Sequence, residues 1–158
     1  MMATIAGRRL CAALLYTALC AGGPATAQPV LVVETAGPPL GELSFQPGEE
    51  ICLTWNHSVT GGAVADCFEN IAGQLTLTRS YLHDFAAGLG EVAGRGQIMP
   101  AAAGGYWITD IAEPIPDNSL ALRVGPARVD HRLTGTGHAL ALSRLAPDTA
   151  VRLTLHPD

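Results

Sequence analysis

Between residues 31 and 155 the chain alternates apolar and polar positions in short runs, broken by Gly, Pro, Asn and Asp. Side chains in an extended strand repeat every two residues, so each run reads as a strand with one face toward a core. The runs are Leu31–Thr35, Glu42–Gln46, Ile51–Val59, Ala63–Ile71 and Gln74–His83, followed by Tyr106–Ile111, Leu120–Val124, Arg128–Leu133, Ala139–Leu145 and Val151–Leu155. Gly37-Pro38-Pro39, Pro47-Gly48, Gly61-Gly62 and Gly73 separate the first five. No sustained 3.6-residue stripe appears outside the N-terminal region. Many short strands with turn signals between them predict an all-β domain, a single antiparallel β-sandwich or partly open barrel spanning 28–158.

The first 27 residues break this pattern. Arg8 and Arg9 precede the apolar stretch Leu10–Ala21, and Ala25-Thr26-Ala27 matches a small-x-small cleavage site, so 1–27 reads as a secretory signal peptide. The apolar stretch is shorter than the roughly 20 residues a bilayer span needs. The paired arginines also admit twin-arginine export, although the residues around them match that signal poorly. The expected location is therefore the periplasm or outside the cell, with no membrane span in the mature chain.

Export changes the charge and the cysteine count. The full chain has 9 cationic side chains, all arginine, against 14 acids, for a formal charge of −5. Losing Arg8 and Arg9 leaves 7 against 14, or −7. So acidic a chain offers no footprint for phosphate backbones, and nucleic acid is not an expected partner. Cys11 and Cys20 leave with the signal, and the remaining Cys52 and Cys67 most simply pair in an oxidising compartment.

That pairing sets faces. Ile51, Leu53, Trp55, His57 and Val59 share one side of their strand, and Cys52, Thr54, Asn56 and Ser58 the other. With the cysteines opposite each other, Val64, Asp66 and Phe68 also face inward, and the disulfide lies on the outer face, pinning the register. His57 and Asp66 then share the inner side of one hairpin. They read either as a polar pair that locks the sheet or as part of a pocket that contacts a ligand.

Other chemistry is sparser. His83 follows Leu75, Leu77 and Tyr81 on one alternating face, and His131 sits between Val129 and Leu133. Three histidines and Asp66 could surround a metal, but no His-x-His or Cys-x-x-Cys spacing supports it, and neither a metal nor another cofactor is expected. Ser58 is adjacent to His57 yet points to the opposite face, and no G-x-S-x-G elbow is present, so no catalytic residue is assigned. The segment Phe85–Gly90, with Gly88 and Leu89, offers a backbone that can approach a partner closely. Arg123 and Arg128 flank Gly125-Pro126 and could grip a carboxylate, or simply be solvated strand-end residues.

Taken together, His57-Ser58-Val59, Val64, Asp66-Cys67-Phe68 and Phe85-Ala86-Ala87-Gly88-Leu89 resemble the DUF1850 family of uncharacterised exported bacterial domains. The resemblance runs from about Leu43 to Leu155. Thr60, Ala65 and Gly90 stand where members often carry Glu, a second acid and Pro, so Asp66 alone remains of the family's acidic pair. Members are often encoded beside TAXI-type TRAP transporters. The resemblance therefore implies a non-enzymatic accessory or binding protein that contacts a TRAP receptor or membrane subunit. His57, Ser58, Asp66, Gly88, Leu89 and Arg123 are its candidate contact residues. A small-ligand or metal-binding enzyme built on His57 and Asp66, and an envelope structural protein, are the alternatives.

Overall fold

The computed structural model of the chain describes residues 27–84 and 94–157. The expected signal peptide, up to residue 26, and Gly88 and Leu89 of the glycine-rich segment lie outside the described residues.

The described chain forms two antiparallel sheets without a closed barrel, the sandwich-like architecture that the alternation predicts. The smaller sheet contains β1 (Val30–Glu34), β2 (Gly41–Ser44), β9 (Ser119–Arg123) and β12 (Ala150–His156), in the order β2-β1-β12-β9. The larger contains β3 (Glu50–Asn56), β4 (Ala63–Ile71), β5 (Gln74–Leu82), β6 (Gln97–Pro100), β7 (Tyr106–Thr109), β10 (Arg132–Gly135) and β11 (His138–Leu140). Its order is β11-β10-β3-β4-β5-β7-β6, and β8 (Glu113–Pro114) pairs with β5 alongside. Inward residues of both sheets, including Leu31, Val33, Ile51, Leu53, Phe68, Leu133, Val151 and Leu153, interlock as the main core. A smaller cluster, Leu82, Tyr106 and Ile108, forms under β5 and β7.

Local chemistry explains the register. The β4–β5 hairpin turns through Ala72 and Gly73, both at positive φ (51° and 84°), a two-residue turn whose twist matches the flanking strands. Across β3 and β4, Cys52 pairs with Cys67, Leu53 with Asp66 and Trp55 with Val64. Cys52 and Cys67 form the disulfide, on the face opposite Ile51 and Leu53. Cys67 is nonetheless fully buried; on the same face Arg79, paired with Cys67 across the strands, donates from Nε to Glu50 Oε2 at 2.8 Å.

Several elements differ from the alternation, and β6 and β8 are strands it does not predict. Cys67 pairs with Arg79 but Phe68 pairs with Leu77, so β5 carries one extra residue, Thr78, at a bulge. A bulge inverts the alternation beyond it. Leu75 and Leu77 face the core before it and Ser80 and Leu82 after it, so Tyr81 and His83 leave the face they seemed to share with Leu75. The strand expected at Arg128–Leu133 starts only at Arg132, because Val129 N–H closes a turn onto Pro126 O at 2.9 Å. The strand expected at Ala139–Leu145 ends at Leu140, and a single helical turn, α1 (Leu142–Leu145), buries Leu142 and Ser143. One turn is too short to show a helical period in the sequence.

Candidate functional site

One end of the sandwich holds a cleft of about 360 Å³ lined by Trp55, His57, Ser58, Arg123, Val124, Gly125, Pro126, Arg128, Val129, His131 and Asp148. Three chain segments meet there. Past the end of β3 the chain turns back through residues 57–62, closed by Gly61 N–H on His57 O at 2.9 Å and His57 N–H on Gly62 O at 2.8 Å. The turn after β9 is tied to the end of β3 by Asn56 N–H on Val129 O at 2.7 Å and Asn56 Nδ2 on Arg128 O at 3.2 Å. The start of β12 completes it: Val124 N–H bonds Thr149 O at 2.8 Å, beside Asp148.

The two imidazoles are held in the same sense. Gly125 N–H donates to His131 Nδ1 at 2.9 Å, and Thr60 N–H donates to His57 Nδ1 at 3.2 Å. A backbone N–H on Nδ1 places the proton of the neutral ring on Nε2, so each ring offers an Nε2–H donor. Burial pushes the pKa of His131 below the ordinary histidine value, which favours its neutral form. Its ring lies against Trp55, with centroids 5.8 Å apart and planes 33° apart, so the indole fixes one side of the imidazole. Ser143 of α1 supports the same corner: its Oγ accepts from His131 N–H at 2.9 Å and donates to Gly125 O at 2.8 Å. Gly125 is required by proximity, because a Cβ there would stand 2.8 Å from Val129 Cβ.

Arg123 and Arg128 add two guanidinium groups at exposed positions of the cleft, with no ion pair to either among the described residues. Asp148 is the one carboxylate in the lining. Arg123, Arg128 and Asp148 together bring two positive charges against one negative to the cleft.

Such a lining suits hydrogen-bond acceptors better than metal ions. Metal-bound histidines usually donate their second ring N–H to a carbonyl or carboxylate, whereas both Nδ1 atoms here receive an N–H. Among the described residues, the group with metal-ligand spacing is Glu50, Cys52 and Cys67, and its two sulfurs are joined in the disulfide.

Of the residues singled out in the sequence, the cleft gathers His57, Ser58 and Arg123. It does not include Asp66. Asp66 pairs with Leu53, and His57 stands four residues further on, roughly 13 Å along an extended chain. The expected His57–Asp66 pair therefore does not form: His57 Nδ1 is occupied by Thr60, and Asp66 accepts from Ser80 Oγ at 2.6 Å. Desolvation raises the pKa of Asp66, against the Ser80 hydrogen bond and the nearby positive charge of Arg95, with Glu113 adding to the rise. The three-histidine set does not assemble either, since His83 is exposed beside Asp84, with Nδ1 3.8 Å from Oδ2, and lies outside the cleft lining. Trp55 and Ser143 were missed as site residues. Trp55 reads as ordinary core on its strand, and Ser143 carries no signal until α1 is folded against Gly125.

No curated protein and no solved structure matches the chain. A family model described as a domain of unknown function matches residues 51–142, which takes in β3, the 57–62 turn, both cleft arginines and His131. That match covers more than half of the sequence, and the chain belongs to the DUF1850 family.

Proposed function

We propose that the protein is an exported, non-enzymatic accessory or binding protein associated with a TAXI-type TRAP uptake system, and that it engages its partner or ligand through the cleft at the 57–62 end of the sandwich. The convergence of Arg123, Arg128 and two fixed imidazoles beside Trp55 carries this reading, because it assembles recognition groups. A cleft of a few hundred Å³ with a handful of placed polar groups is the usual form of a binding site. The rival enzyme reading relied on a His57–Asp66 couple, and those two side chains have separate partners. The Cys52–Cys67 disulfide is compatible with an extracytoplasmic location, and no described helix is long and apolar enough to cross a membrane. The transport association rests on the family resemblance.

Crosslinking in cells followed by affinity capture and mass spectrometry tests this reading. Wild-type protein should recover a TRAP receptor or membrane subunit, and Arg123→Gln with Arg128→Gln should recover much less at equal protein level. Capture of the protein alone, or capture indifferent to both substitutions, would overturn it.

A further inference from the structure

We infer that the group recognised in this cleft is a carboxylate, held between Arg123 and Arg128 and the Nε2–H donors of His57 and His131. The inference rests on the binding role proposed above and adds the chemistry of what is bound.

The donor set points to an anion. Each imidazole has its Nδ1 lone pair occupied by a backbone N–H, so neither neutral ring presents a lone pair to the cleft. Both arginines are donors only, and the guanidinium fork matches a carboxylate in bidentate fashion. A ligand rich in donors would meet mostly donors here. It would have to rely on Asp148 and main-chain carbonyls.

The charge balance points to an anion as well. Arg123 and Arg128 against Asp148 leave a net positive charge, which favours a carboxylate. Phosphate sites use arrays of free backbone N–H groups, at helix N-termini or in nests. Around this cleft the Gly125, Thr60, Asn56 and Val124 N–H groups are already bonded to His131, His57, Val129 and Thr149. Trp55, Val124 and Val129 supply apolar lining beside the charged groups.

The test is calorimetric titration of the exported protein with succinate, with its uncharged isostere succinamide, with inorganic phosphate and with a short acidic peptide, at constant ionic strength set by chloride. Fluorescence of Trp55, isolated in a Trp107→Phe background, reports whether binding occurs in the cleft. Succinate should saturate and shift Trp55 emission while succinamide does neither. Arg123→Gln and Arg128→Gln should each weaken binding by about tenfold or more, the scale of a lost charge-assisted hydrogen bond. Arg144→Gln, a control for net charge at an exposed position of α1, should bind as wild type. Binding of the acidic peptide but not succinate, with the same arginine dependence, also supports the inference and makes the carboxylate a partner's side chain. Phosphate binding without either carboxylate, or no response beyond chloride, would overturn it. If the arginine variants lose partner capture while no carboxylate binds, this inference falls and the binding role stands. Carboxylate binding with partner capture unaffected gives the reverse result.

Discussion

Asp66 and His131 show how neighbouring groups decide the role of a polar side chain facing a core. His131 has its ring nitrogen, its backbone N–H and its ring face all engaged, by Gly125, Ser143 and Trp55, and it lines the cleft. Asp66 has one short bond from Ser80, with Arg95 and Glu113 nearby, and stands between Leu53 and Ser80 in the sheet. Burial raises its pKa, so the folded state holds a proton that the unfolded chain releases sooner. The sign of the stability effect follows. As pH rises from the ordinary aspartate value through the raised folded value, the unfolded state binds fewer protons than the folded one, and folding loses stability from this group. Asp66→Asn keeps an acceptor for Ser80 and removes the charge. Its melting temperature should exceed wild type near pH 7.5, by a larger margin than near about pH 4. A variant equal to or below wild type near neutral pH would show that Arg95 holds Asp66 as a useful anion instead.

At the scale of elements, most strands could be read from the sequence and the one phase error could not. Ala63–Ile71 has the same bounds in the sequence pattern and in the fold, and β3, β9 and β12 differ only by a few residues at their ends, because a period of two bounded by Gly and Pro is a local signal. The bulge at Thr78 is a property of two strands together, so the alternation of β5 alone carries His83 and Tyr81 to the wrong face. The same distinction holds at the site. His57, Arg123 and Arg128 were visible as residue types beside turns. The separation of His57 from Asp66 depends on where β3 stops, and Ser143 on where α1 docks. Thr78 is held where it stands by its Oγ1, which donates to Cys67 O at 3.2 Å, and by its own carbonyl, which accepts from Ile111 N–H at 3.1 Å. Deleting Thr78 would set Leu77 and Arg79 side by side opposite Phe68 and Cys67, so Leu75, Leu77, Ser80 and Leu82 would all keep the core face on a strand of regular alternation. No core side chain is expelled, so the deletion should cost little more than the two hydrogen bonds that Thr78 makes, roughly 1–3 kcal/mol, and leave folding cooperative. A cooperative melt somewhat below the wild-type midpoint, with the near-UV circular dichroism signal retained, would report that. Loss of that signal would show that β5 cannot pair regularly and that the bulge itself is required by the sheet.

The whole molecule joins residues far apart in sequence at one cleft, from Trp55 on β3 to Asp148 before β12. Its walls draw on both sheets: Trp55 of β3 and His131 just before β10 on the larger side, Arg123 of β9 and Asp148 just before β12 on the smaller. The cleft therefore exists only while the sheets remain packed through the main core. Any occupant then binds the folded state and has no equivalent site in the unfolded chain, so occupancy must raise global stability by mass action. With ligand at roughly 100 times its dissociation constant the gain is about 2.7 kcal/mol. Spread over a chain of this size, that corresponds to a shift of some degrees, within reach of a melting experiment. A carboxylate probe should raise the melting temperature of wild-type protein with a logarithmic dependence on concentration and leave the doubly substituted Arg123→Gln, Arg128→Gln protein unmoved. If the same increment appeared in both, the anion would be acting on the surface as a whole through solvent exclusion, and the cleft would have no part in it.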